Sequence, residues 1–174
     1  MNIKSFEKIS LNGRVSFGIS CLESTLQYLD YNVDEWRIVL EYLWDFTSVK
    51  YIDDWSGIIS EIIPENLLEF KFYEEHDFEY LDEKNFEYLY NLYQNIDEKI
   101  DFVITSIYNI GTSHAYTKIV EYGQDSLDEL EILINYLIEN EVPLPDITPF
   151  KSLSIDENKG WGNSFVGSRL SKIL

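Results

Sequence analysis

The chain has 174 residues and a mass of 20.6 kDa, the size of one ordinary domain. Thirteen Lys and Arg stand against thirty-two Asp and Glu, and the resulting net charge of −19 argues against direct binding to phosphate backbones. A content of 45% hydrophobic and 16% aromatic residues argues equally against a disordered acidic chain, so one folded domain over 1–174 is expected.

Val15, Ile19, Leu22, Leu26 and Leu29 recur at helical spacing and predict a helix over 13–31. Asn32 with Glu35 three positions on matches a capping box, and Trp36, Leu40, Leu43 and Thr47 carry a second helix over 33–47. Trp55, Ile58, Ile59, Ile62 and Ile63 form a third stripe, which Asp53 or Asp54 is placed to cap and Pro64 to end or kink. Phe86, Leu89, Tyr93 and Ile96, then Ile100, Val103, Ile104 and Ile107, give two more helices with a break near Asn95. Gly111 interrupts the pattern before Tyr116, Ile119 and Val120, predicting a kinked or separate sixth helix with Gly123 as its left-handed C-terminal cap. Ser126 and Glu129 read as the capping box of a last helix that turns Leu127, Leu130, Ile134 and Leu137 inward. Pro143 and Pro145 stop it, and residues 141–174 are expected to wrap the bundle as an irregular tail. The expected fold is all-α, a single-domain bundle of about six to seven helices; the run Glu69–Tyr73 leaves a small strand open.

Cys21 is the only cysteine, so a disulfide framework is impossible and a reducing, cytoplasmic setting is the simplest expectation. No apolar run approaches the roughly 18 residues of a membrane span, and no membrane partner is expected. Residues 1–14 carry three basic side chains against one acidic, and 151–174 carry four against two, which concentrates −23 in the middle. Between Glu74 and Glu87 seven carboxylates face a single Lys84, with Phe78, Tyr80, Phe86 and Tyr88 interleaved. Solvated helix faces and core aromatics account for most such runs, but −19 exceeds the magnitude of roughly 2–8 that solubility alone requires. Acidic side chains mixed with aromatics suit a docking surface for a basic protein.

Candidates for chemistry are few. Cys21 lies within the first helical stripe, where a buried structural thiol is the ordinary reading. His76 could join Glu75 or Glu79 at a metal, although such carboxylates recur by chance in an acidic sequence. No phosphate loop, His-Glu-x-x-His helix or calcium loop occurs, and no cofactor is expected. Gly160-Trp161-Gly162 lacks the setting of a nucleotide fingerprint and is read, with Phe165, as an anchor for the tail.

Gly13-Arg14-Val15 leading into Phe17, the string Val39–Thr47, Asp53-Asp54-Trp55 and the late Gly160-Trp161-Gly162 together resemble the predominantly helical immunity proteins of bacterial polymorphic-toxin systems, the contact-dependent inhibition type. The resemblance covers most of the chain and rests on aromatic and small residues, with no catalytic signature. It implies a non-enzymatic cytoplasmic antidote that pairs with the toxin domain of a secreted effector, frequently a nuclease. An acidic inhibitor stops a nuclease by covering the basic surface that holds phosphates. The expected partner-binding residues are Glu74, Glu75, Asp77, Glu79 and Tyr80, with Asp53, Asp54 and Trp55 as a second patch. Trp44 and Asp45 are expected to pack and cap. Two other readings use the same residues: an acidic adaptor or nucleic-acid mimic docking on a DNA-binding protein, and a small hydrolase built on Cys21 or a His76 metal site.

Overall fold

Ser10 opens the longest helix, α1 (Leu11–Tyr28), by accepting the N–H of Gly13 at 3.3 Å. A computed structural model describes residues 1–174, and fifteen of the eighteen residues of α1 are buried in it. The apolar stripe from Val15 to Leu26 therefore marks one side of a helix that is covered all round. Its other side is made of small and polar residues, and their hydroxyls are satisfied locally: Ser16 donates to the Asn12 carbonyl at 2.6 Å and Thr25 to that of Cys21 at 2.8 Å. Gly18 permits a close crossing, since a Cβ there would lie 3.2 Å from Ile107 and 3.7 Å from Leu133.

Six further helices surround this axis: α2 (Arg37–Trp44), α3 (Ile52–Ile62), the single turn α4 (Pro64–Leu67), α5 (Glu83–Tyr93), α6 (Glu98–Thr112) and α7 (Gln124–Glu139). The fold is all-α, with no strand and one isolated bridge, Ile9 to Ser154. Helices α6 and α7 pack on one flank of α1, α2 and the Thr148–Ser152 turn adjoin others, and α3 packs on α2 and α6. The break near Asn95 is real: Asp97 caps α6 by accepting the N–H of Lys99 at 2.9 Å. Phe6, Phe17 and Phe150 meet edge to face, tying the N-terminal turn and the tail to the axis.

Several local expectations are corrected. Residues 69–73 form turns and bends, not a strand; Pro64 does follow the end of α3 at Ile62, and it also opens α4 at its first turn, where its missing N–H costs nothing. Neither Asp53 nor Asp54 caps α3; Tyr51 holds that position without a side-chain bond. Asn32 donates to Glu35 Oε1 at 2.9 Å but makes no cap bond to backbone. The helix expected between Gly111 and Gly123 does not form, and Gly111 does not break α6, which runs through it to Thr112: the glycine makes room for the Trp55 ring, which a Cβ would meet at 2.7 Å. Residues 113–122 are an irregular loop with Tyr116 92% exposed. Gly123 is left-handed (φ 63°) but begins α7 instead of ending a sixth helix, and Ser126 sits buried in the first turn of α7, not at its cap.

The segment 141–174 runs along the bundle through backbone bonds to α1 and its approaches. The Ser10 N–H donates to the Leu153 carbonyl at 2.8 Å, Asn12 to that of Trp161 at 2.9 Å, and Phe165 to that of Thr47 at 3.0 Å. Glu23, buried on α1, accepts from Trp44 Nε1 at 3.2 Å, from the Lys172 N–H at 2.8 Å and from the Ser171 hydroxyl. Trp44 thus packs and bonds within the core, and one carboxylate pins the last residues to the axis.

Candidate functional site

Helix α3 presents Asp53, Gly57 and Glu61 at four-residue spacing, which places them on one face, with Asp54 beside them. The ring of Tyr80 lies on this face at Gly57, where an added Cβ would come within 2.3 Å of it. Glu61, one turn further on, accepts three successive backbone N–H groups: Glu79 at 2.7 Å, Tyr80 at 3.1 Å and Leu81 at 2.8 Å. Three donors on one carboxylate are the anion nest of a turn, filled here by the protein's own side chain. The segment carrying Tyr80 is held to α3 at its backbone and by its ring.

Tyr80 remains 42% exposed. Its phenol is pushed above the ordinary tyrosine value, first by Glu79, then by partial desolvation, and then by Asp54, Glu61 and Asp53. Four carboxylates from two separate stretches of chain therefore act on one exposed aromatic. The two sequence-derived patches, 74–80 and 53–55, meet at this point. Gly57 and Glu61, which join them, were not among the expected residues. The readable signals were the four-residue spacing 53, 57, 61 and a glycine inside a helical stripe, which marks a close approach.

The remaining expected residues divide. Glu74 and Asp77 are exposed, and Glu75 is spent within its own loop, accepting the Lys71 N–H at 2.8 Å. Trp55 is corrected outright: it is 1% exposed, donates to the carbonyls of Tyr42 and Leu43 at 3.1 and 3.3 Å, and meets Phe46 edge to face at 4.8 Å. No partner reaches it. The intervening aromatics pack around the core residue Phe86: Tyr73 stacks on Phe78, both rings meet Phe86, and Phe70 meets Phe78 edge to face. This cluster gives the acidic segment 70–82 its own apolar support.

His76 stacks on Phe70 with ring centroids 4.6 Å apart, and no group of three or more His, Cys, Asp or Glu side chains is arranged to hold a metal ion. Cys21 is fully buried, and burial pushes its thiol up. A constellation absent from the sequence reading is more suggestive. Ser126 Oγ lies 3.2 Å from His114 Nε2, and His114 Nδ1 lies 3.9 Å from Asp125. Its proton directions do not suit a nucleophile. The Ser126 hydroxyl donates to the Gly123 carbonyl at 3.0 Å and accepts from Arg14 Nη1 at 2.6 Å, and its second lone pair faces His114 Nε2, which leaves no proton for the imidazole to take. Ser126 is fully buried and His114 is 3% exposed. The cluster is structural, built around a buried Arg14 whose guanidinium also bonds the carbonyls of Gly123, Phe6 and Tyr122. Burial lowers Arg14 to about 10, so it is still charged at neutral pH.

Comparison with protein-family models, with curated proteins and with solved structures finds no match to this chain. No helix is long and apolar enough to cross a membrane.

Proposed function

We propose that the protein is an immunity protein that neutralises a cognate basic toxin domain by covering its active or substrate-binding surface. The observation that carries this reading is the convergence of Asp53, Asp54, Glu61 and Glu79 on the exposed Tyr80. A fixed aromatic ringed by carboxylates offers a central anchor for affinity and a field that accelerates encounter with a positive partner. The net charge of −19 extends that field over the whole domain. A nuclease presents cations to phosphates, and these carboxylates occupy the same cations. No bond is made or broken; inhibition is by occlusion in the cytoplasm of the producing cell.

Protection of growth tests the reading. The product of the gene adjoining this protein's own, the candidate toxin, is expressed with the wild-type chain or with Asp53→Lys, Asp54→Lys and Glu79→Lys together. Wild type restores growth and the triple variant, folded by circular dichroism, does not. Protection by the triple variant at equal abundance would remove the Tyr80 face from the mechanism. An adjacent gene without toxicity, with capture of a DNA-binding protein in its place, would favour the adaptor reading.

A further inference from the structure

Beside the Tyr80 face a cleft of about 380 Å³ opens between the start of α1, the segment Phe46–Asp53 and the turn Asn158–Ser164. Its volume lies in the range of small-ligand sites. The glycine turn is what shapes it. Gly160 and Gly162 both adopt positive φ (94° and 84°), and a Cβ on Gly162 would strike Ser10 at 2.4 Å, so the backbone comes close to α1 and sets Trp161 in the wall. At the base, Asn12 is only 7% exposed. Its Nδ2 donates to the Asn163 carbonyl at 3.2 Å, while its Oδ1 accepts from no protein group and is left as a free acceptor in the cleft lining.

The lining also carries one cation, Lys50, against the single carboxylate of Asp53. Trp161 and Tyr51 supply aromatic surface, and Asp53 brings a carboxylate that also belongs to the Tyr80 face. The protein's own Lys50 already covers Tyr51, its Nζ 4.8 Å from the ring centroid, which leaves Trp161 as the aromatic wall for an incoming cation. A free acceptor, a carboxylate and the Trp161 ring, on a domain of net charge −19, select a planar cation that stacks and donates in several directions. Arginine does this; lysine, a compact and strongly hydrated point charge, does so less well.

We infer that this cleft receives an arginine side chain of the basic partner, with Asn12 Oδ1 and Asp53 accepting from the guanidinium and Trp161 stacking on it. The inference rests on the reading that the partner is basic and docks on the adjoining face. It makes the cleft a specificity pocket, distinguishing one basic partner from others that the field attracts equally.

The test needs no toxin. The full-length ¹⁵N-labelled protein is titrated at low salt with N-acetyl-arginine amide and, separately, with N-acetyl-lysine amide. Saturable shifts are expected at the Asn12 side-chain amide and the Trp161 indole N–H, with arginine about threefold tighter than lysine or better, as one exposed cation–π contact implies. Asp53→Asn, at an exposed position, weakens the arginine response; Asn12→Leu abolishes it. Non-saturable shifts, equal response to both probes, an unchanged response in Asp53→Asn, or shifts confined to Tyr80 and its neighbours would overturn the inference. Charge reversal on the Tyr80 face and loss of growth protection are read in a different assay, so the pocket and the immunity reading fail separately.

Discussion

Glu61 accepts the backbone N–H of Tyr80 at 3.1 Å while the tyrosine ring lies over Gly57, one turn earlier on the same helix. On the proposed reading, the carboxylate that adds to the field drawing in a basic partner also fixes the aromatic residue proposed to anchor it. Glu61→Gln keeps an acceptor and Glu61→Ala removes it. Amide exchange at Glu79–Leu81 in Glu61→Ala is expected to accelerate about tenfold or more, equivalent to roughly 1.4 kcal/mol of local stability, with Glu61→Gln between it and wild type. Unchanged exchange in Glu61→Ala would mean that the loop is held by its aromatic cluster alone.

Gly57→Ala separates presentation from folding. Alanine favours the helix by up to about 1 kcal/mol, but its Cβ displaces the Tyr80 ring. Global stability by urea unfolding is expected to stay within about 1 kcal/mol of wild type, while binding to the toxin domain weakens about tenfold. Weakened folding with intact binding would reverse the assignment.

The buried cluster at α7 predicts a pH dependence. Burial lowers His114 below the ordinary histidine value, and Arg14 adds to this, against the opposing pull of Asp125; Ser126 and Thr117 are its neutral neighbours. In this window the unfolded chain binds a proton that the folded chain does not. The contribution of neutral His114 is therefore complete above about pH 6.5 and is lost as pH falls from there towards the lowered folded value. His114→Gln is expected to flatten the fall in stability between about pH 6.5 and 5, measured by urea unfolding, relative to wild type. An unchanged slope would place the titrating group elsewhere.

Tyr93 Oη and Trp36 Nε1 are both buried without a hydrogen-bond partner, their rings 5.9 Å apart. Burial also raises the Tyr93 phenol. Tyr93→Phe removes an unsatisfied polar atom and is expected to stabilise the fold by about 1 kcal/mol in urea unfolding. A loss of similar size would show that the hydroxyl has a partner, most simply an ordered water.

The spacing of apolar residues made most helices legible, since Leu, Ile and aromatic stripes report which segments are helical. It did not report that α1 is buried on every side. Ser16, Gly18, Ser20 and Thr25 lie off the apolar stripe, yet small side chains admit neighbouring helices and the Ser16 and Thr25 hydroxyls bond back to their own helix backbone. The failure at 113–122 has a similar cause: Gly111 was read as a breaker when its missing Cβ serves the Trp55 ring from another helix. Ser126 matched a capping box because local pattern cannot anticipate that Arg14, 112 positions away, takes its oxygen. For the candidate site, composition pointed to the acidic stretch and to Asp53 and Asp54, while their meeting at Tyr80 depends on Glu61 and Gly57, a tertiary relationship that charge runs do not encode.

The central claim is that the carboxylates around Tyr80 meet a basic toxin domain. Its most direct test is the association rate with the proposed toxin domain, sought among the products of the genes adjoining this protein's own, measured by stopped flow from about 50 to 500 mM salt for wild type and for the variant carrying Asp53→Lys, Asp54→Lys and Glu79→Lys. The wild-type rate is expected to fall about tenfold or more across this range, and the variant to associate at least about tenfold more slowly at low salt with a much flatter dependence. Equal rates for the two proteins, with no response to salt in either, would contradict the account.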